Sequence, residues 1–128
     1  MVSPTNTSDF LSDEPPRFTA ISLFCSGGIG DLAARNVGME NLVANELLDD
    51  RCEVFHANYP ETSLIRGDIW EKQDEIIAEA VRKLGGRTLD FAIATPPCQG
   101  MSSNGMGKLL QGIRNGKKPR LDERNRLI

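Results

Sequence analysis

The sequence has a single histidine, His56, and no apolar run that approaches the roughly 18 residues a membrane span requires. That predicts no membrane partner and leaves little scope for histidine-based catalysis, because His56 has no serine, cysteine or carboxylate partner at a diagnostic spacing. Its expected place is the surface or the core. Cysteine is also sparse: Cys25, Cys52 and Cys98 are odd in number and scattered, which excludes a disulfide framework and shows no metal-ligand spacing. With no secretory signal in view, a reducing cytoplasm is the expected compartment. No internal repeat is visible.

The chain has 128 residues and a formal charge of −3, so it is not a simple basic nucleic-acid binder. The charge is unevenly spread. Residues 1–107 hold 8 Lys and Arg against 16 Asp and Glu, whereas residues 108–128 hold 7 against 2. The basic stretch suits contact with phosphates, or equally a solvated loop.

Residues 1–16 read as a flexible leader, rich in Ser, Thr, Asp and Pro with few apolar side chains to offset the entropy of ordering. The short apolar run at 18–24 predicts a buried strand that enters the glycine turn CSGGIG. A helix is expected from about Asp31 to Gly38, a strand over 41–46, and a helical segment that ends by Pro60. A third strand is expected in SLIRGD, a helix over 69–84 stopped by Gly85 and Gly86, and a fourth strand over 89–95. Strands alternating with helices imply parallel βαβ units, whose ligands collect outside the carboxyl ends of the strands. The glycine turn, Glu46, Asp68 and Cys98 all fall at such ends.

Gly27, Gly28 and Gly30 allow close backbone approach to a ligand, although such a turn is as often a plain connection. Glu46, at the end of the next strand, is placed as an acceptor for ribose hydroxyls. Asp68 suits either hydrogen bonding to a nucleoside base or capping of the following helix. Phe24 suits either an adenine face or the core. The sharpest feature is Pro96-Pro97-Cys98-Gln99-Gly100, where two prolines stiffen the loop that carries a thiol, as a positioned nucleophile requires. Cys25 and Cys52 read as buried structural thiols.

Together and in this order, SLFCSGGIGDLAARNVG, the Glu46 of VANE, the Asp68 of RGDI and TPPCQGMSSNG resemble the cytosine-C5 DNA methyltransferases. The closing DERNRLI is similar to the start of the helix after that family's catalytic loop. The resemblance implies an α/β, Rossmann-like methyltransferase fold with a mostly parallel, incomplete sheet. It divides the chain into the leader, a partial cofactor-binding and catalytic domain at 17–107, and a basic loop with the start of a helix at 108–128. It implies S-adenosyl-L-methionine held by Phe24, Gly27, Gly28, Gly30, Glu46, Asp68, Ile69 and Pro97. Cys98 would be the nucleophile, and Gln99, Ser102, Ser103, Lys117 and Lys118 would contact double-stranded DNA. No metal is implied.

The turn CSGGIG is phased differently from the family's usual F-x-G-x-G-G, and GKLLQGIRNGKKPRLDERN is longer and more basic than a minimal catalytic loop. Nothing in the sequence resembles the family's later E-N-V and R-x-R motifs or its target-recognition region. The expectation is therefore the amino-terminal part of a methyltransferase, either a fragment or one polypeptide of a split enzyme, inactive until a second piece supplies those parts, in a restriction-modification setting. A silent cofactor- or DNA-binding remnant is the alternative. A nicotinamide-dependent oxidoreductase would leave P-P-C-Q without a role.

Overall fold

The computed structural model describes residues 16–97, 111 and 114–116. Met1–Ala94 and Thr95–Ile128 are two separate compact units. The first holds an alternating series: β1 (Phe18–Leu23), α1 (Ile29–Asn36), β2 (Met39–Glu46), α2 (Asp49–Asn58), β3 (Ser63–Arg66), α3 (Ile69–Leu84) and β4 (Phe91–Ala94). All strand pairs are parallel, in the order β3-β2-β1-β4. This is the α/β architecture expected from the alternation.

The elements stop where the chemistry dictates. Gly85 takes the left-handed conformation (φ 57°) that closes α3, and its N–H donates to the Val81 carbonyl. Residues 89 and 90, expected in the fourth strand, precede it; there Asp90 pins the entry to β4, its carboxylate accepting from Thr19 N at 2.8 Å. α1 begins at Ile29, before Asp31, and Asp31 turns inward instead of facing water: Ser22 Oγ donates to its Oδ2 at 3.1 Å, and Asn41 Nδ2 donates to its Oδ1.

Two apolar clusters cover opposite faces of the sheet. Leu42, Val43 and Ile65 pack under Ile76 and Ala80 of α3, with Ile21, Leu23, Ile69 and Leu84 at the margin. Cys25, Ala44, Phe55 and Tyr59 form the other, with Leu64 against it. Simple alternation would send Leu42 and Val43 to opposite faces. A register shift between Ala20 and Ile21, whose partners are Asn41 and Val43, accommodates both in one cluster. All three helices pack chiefly over β2 and β3.

Candidate active site

The carboxyl ends of β1, β2 and β3 meet at a turn that departs from ordinary backbone geometry. Phe24 and Ser26, neither of them glycine, have φ of 56° and 52°. Such left-handed residues cost about 1–3 kcal/mol each and persist only where surrounding structure holds them. Here the restraints are identifiable. Cys25 N donates to the Asn45 carbonyl at 3.1 Å, Gly28 N donates to the Cys25 carbonyl at 3.0 Å, and Tyr59 OH donates to the Gly28 carbonyl at 2.6 Å. The last clamp is Glu46, whose Oε2 accepts from Ser26 N at 2.8 Å.

Glu46 is buried, and its other oxygen accepts from Leu47 N at 2.8 Å and Leu48 N at 3.1 Å. One carboxylate thus ties the end of β2 to the glycine turn. Asn45 extends the clamp to β3, its Nδ2 donating to the carbonyls of Ile65 at 2.9 Å and Gly67 at 3.1 Å. The structure therefore brings the glycine turn, Glu46 and the Gly67–Asp68 turn to one end of the sheet. The exposed side chains of Leu47 and Leu48 adjoin Glu46.

The three glycines separate by role. A Cβ on Gly28 would stand 2.3 Å from the Tyr59 ring, and φ there is 91°, so Gly28 is required by packing and backbone geometry. A Cβ on Gly27 would meet Val54 Cγ1 at 3.2 Å. Gly30 has nothing within 4 Å of a Cβ position, which leaves it the one with open space for a ligand. Tyr59, the chain's only tyrosine, supports the turn from 31 residues away, and no sequence pattern pointed to that pairing.

Asp68 caps α3, its Oδ1 accepting from Trp70 N at 2.9 Å, so the capping role left open by the sequence is realised with one carboxylate oxygen. Ile69 is half-buried and packs against the α3-side cluster. Phe24 is half-buried at the turn. Burial, then the Asp31 and Glu46 carboxylates, push the Cys25 thiol up to about 12, and burial raises Cys52 as well. Neither forms a thiolate near neutrality, as structural cysteines should not. His56 is exposed on α2.

In the sequence Pro96 and Pro97 follow the end of β4, and both are half-buried. Cys98, Gln99, Ser102, Ser103, Lys117 and Lys118 lie outside the described residues. Among the described residues no group of three or more His, Cys, Asp or Glu side chains is arranged to hold a metal, and no helix is long and apolar enough to cross a membrane.

Comparison with known proteins adds what this geometry leaves open. A family model described as C-5 cytosine-specific DNA methylase matches residues 18–119. The Type II methyltransferase M1.HgaI of Avibacterium volantium is 38% identical over 109 residues, covering 84% of this chain and 28% of that protein. The Type II methyltransferase M.AquIA of Picosynechococcus is 35% identical over 85 residues, covering 66% of this chain and 34% of its own length. The Type II methyltransferase M.NgoPII of Neisseria gonorrhoeae is 38% identical over 93 residues, covering 73% and 24%. The chain thus spans about a third or less of the relatives it matches, and over most of its own length it belongs to the C-5 cytosine-specific DNA methylase family.

Proposed function

We propose that this chain is the cofactor-binding and nucleophile-bearing part of a DNA cytosine-C5 methyltransferase, and that methylation also requires a target-recognition region and late motifs not found in these 128 residues. The observation that carries the cofactor site is the strained turn at Phe24 and Ser26, clamped by the buried Glu46 carboxylate at the carboxyl end of a parallel sheet. Strain of this kind needs a use, and a nucleoside-binding crevice is the use that the fold offers at this place.

The residues suit S-adenosyl-L-methionine. Glu46 already accepts three backbone N–H bonds, so its position is set before a ribose diol arrives. Oδ2 of Asp68 is assigned to the adenine amino group, with Phe24 and Ile69 on the apolar side; Pro97 is assigned to the cofactor from the family resemblance alone. Gly27, Gly28 and Gly30 form the turn that would hold the amino-acid end. When bound, the cofactor supplies an electrophilic methyl group.

Cys98 is the proposed nucleophile. Its thiolate would add to C6 of a cytosine swung out of the helix, C5 would gain the electron density to take the methyl group as S-adenosylhomocysteine leaves, and loss of the C5 proton to water would then expel the thiolate. Gln99, Ser102, Ser103, Lys117 and Lys118 are assigned to double-stranded DNA, the basic 108–128 stretch offsetting phosphate charge. The partial catalytic domain is assigned to 17–107. The relatives' names, Type II methyltransferases, support a restriction-modification setting for this chain, and its assigned compartment is the cytoplasm.

The test is a duplex containing 5-fluorocytosine, incubated with S-adenosylmethionine, the chain and a recognition-bearing methyltransferase segment. A covalent protein–DNA adduct is expected, and Cys98→Ala should abolish it. An adduct that survives Cys98→Ala overturns the assignment. Methylation by these 128 residues alone at an ordinary enzymatic rate overturns the requirement for the target-recognition region and the late motifs.

A further inference from the structure

Tyr59 carries a hydroxyl into an apolar place. It is buried in the cluster formed with Cys25, Ala44 and Phe55, its ring centroid 4.8 Å from that of Phe55, and its hydroxyl donates to the Gly28 carbonyl at 2.6 Å. That carbonyl has another donor, because Leu32 N reaches it at 3.0 Å in the bond that opens α1. One such bond already satisfies a buried carbonyl oxygen, and the second lone pair leaves room for an added restraint. The hydroxyl is that restraint.

Tyr59 meets α1 at both ends. Its hydroxyl holds Gly28, the N-cap residue, and the Arg35 guanidinium in the last turn lies 5.1 Å from the ring centroid while bonding to Glu61. Its backbone is tied as well, with Tyr59 N donating to the Phe55 carbonyl at 2.8 Å and Thr62 N to the Tyr59 carbonyl at 3.2 Å. The ring is thus fixed before any ligand arrives, and with it the place where α1 begins.

The side chains and strand that hold the turn divide it in two. Cys25 and Ser26 are held from β2, by the Asn45 carbonyl and the Glu46 carboxylate. The carbonyl side of Gly28 is held by Tyr59, and from there the chain enters α1 without a side-chain cap. The opening N–H groups of a helix lack intrahelical partners and attract carboxylates. In the cofactor reading above, the two halves serve different parts of one ligand: Glu46 the ribose, and the glycine turn the amino-acid end.

We infer that Tyr59 is a positioning residue for the amino-acid end of the cofactor: too buried to offer the ligand a surface, it fixes through the Gly28 carbonyl the direction of the N–H groups that open α1. This rests on the cofactor reading and names the side chain on which selectivity for a nucleoside bearing an amino acid depends. A pre-organised site spares the ligand the cost of ordering it, so loosening the turn is read as lost affinity.

The test compares two ligands of the 128-residue chain: S-adenosylmethionine, and 5′-methylthioadenosine, which has the nucleoside and the sulfur but no amino-acid end. Tyr59→Phe keeps the ring and leaves the Gly28 carbonyl its bond from Leu32, so circular dichroism should show an intact fold. By calorimetry its affinity for S-adenosylmethionine should fall about three- to tenfold, the worth of one hydrogen bond, and that for 5′-methylthioadenosine by less than about twofold. Leu64→Ala trims the same cluster from β3 and is the control: it should lower the melting temperature at least as far and change neither affinity. Equal losses for the two ligands, no loss for either, or the same selective loss in Leu64→Ala would leave Tyr59 a packing residue and overturn the inference alone. Failure of the unaltered chain to bind S-adenosylmethionine overturns the cofactor reading itself, and this inference with it.

Discussion

The two edges of the sheet differ in how they meet solvent. At β3, the strand is flanked by α2 and α3 and edged with polar pairs: Arg66 bonds Glu53 across to α2, and Ser63 Oγ donates to Glu79 of α3 at 2.8 Å. Arg82 donates to both oxygens of Glu79, and its hydrogen bonds, followed by that of Ser63, hold the Glu79 carboxyl down to about 2. At β4, the corresponding positions are Phe91, Ala92, Ile93 and Ala94, with no charge to deter pairing. One edge is finished as a protein surface is finished, and the other has the composition of an interior. A domain boundary drawn from compactness alone would treat them alike. Their chemistry does not.

The largest effect expected from this contrast is a difference between two phenylalanines. Phe55 is fully buried, with its ring centroid 4.8 Å from that of Tyr59, whereas Phe91 is 43% exposed and meets Phe18 edge-on at 5.7 Å. Phe55→Ala should cost about 3–5 kcal/mol in urea unfolding, as a large core truncation does. Phe91→Ala should cost about 0.5–1.5 kcal/mol, the worth of an exposed aromatic pair. Equal losses would show that the β4 side is as fully packed in solution as the β3 side, and the contrast would fail.

The same contrast explains how far the sequence could be read. The strands and helices were legible because apolar runs, Gly85 and Pro60 act locally, and each element boundary fell within a few residues of its punctuation. Glu46 and the glycine turn were legible as site residues because their place at strand ends follows from alternation alone. Tyr59 under Gly28, Asn45 across to β3, and Asp31 turned inward were not, since each depends on a partner distant in sequence whose approach only the packed sheet decides. The bulge at Leu42 escaped for the same reason: a shift of register is a property of two strands together. Asp68 shows the intermediate case. Its position was legible, but a strand-end acid before a helix has two uses, and the capping one is satisfied by the backbone itself.

A second expected effect separates two glycines that the sequence could not rank. Gly28→Ala drives a Cβ to 2.3 Å from the Tyr59 ring in a left-handed backbone, and should cost about 2–4 kcal/mol from overpacking and conformational strain combined. Gly30→Ala meets no atom within 4 Å inside α1, and should leave stability unchanged or raise it by up to about 1 kcal/mol. Its expected effect is on the ligand: S-adenosylmethionine affinity, measured by calorimetry, should fall while the melting temperature holds. Unchanged affinity would remove Gly30 from the proposed cofactor site and leave the turn a structural connection.

The smallest expected effect is one of pH, and it resides beneath α1. Burial raises the Asp31 carboxyl above the ordinary range, against the lowering effect of the Ser22 and Asn41 hydrogen bonds. A carboxyl raised in the folded state holds its proton longer there than in the unfolded chain. Its contribution to stability is therefore fully present at low pH and declines as pH rises from the usual carboxylate range through the folded value. Asp31→Asn removes the ionisation, and the amide it introduces can donate to Asn41 Oδ1, a buried atom with no hydrogen-bond partner among the described residues. The variant's stability relative to wild type should rise with pH across that window and level off above it. Its size should stay below the roughly 1–3 kcal/mol cost of leaving a buried polar group unsatisfied. Urea midpoints compared from pH 4 to pH 8 in both proteins read this difference directly. A difference that is flat with pH would mean that Asp31 ionises as freely in the fold as out of it, and that the pocket around it is wetter than its burial indicates.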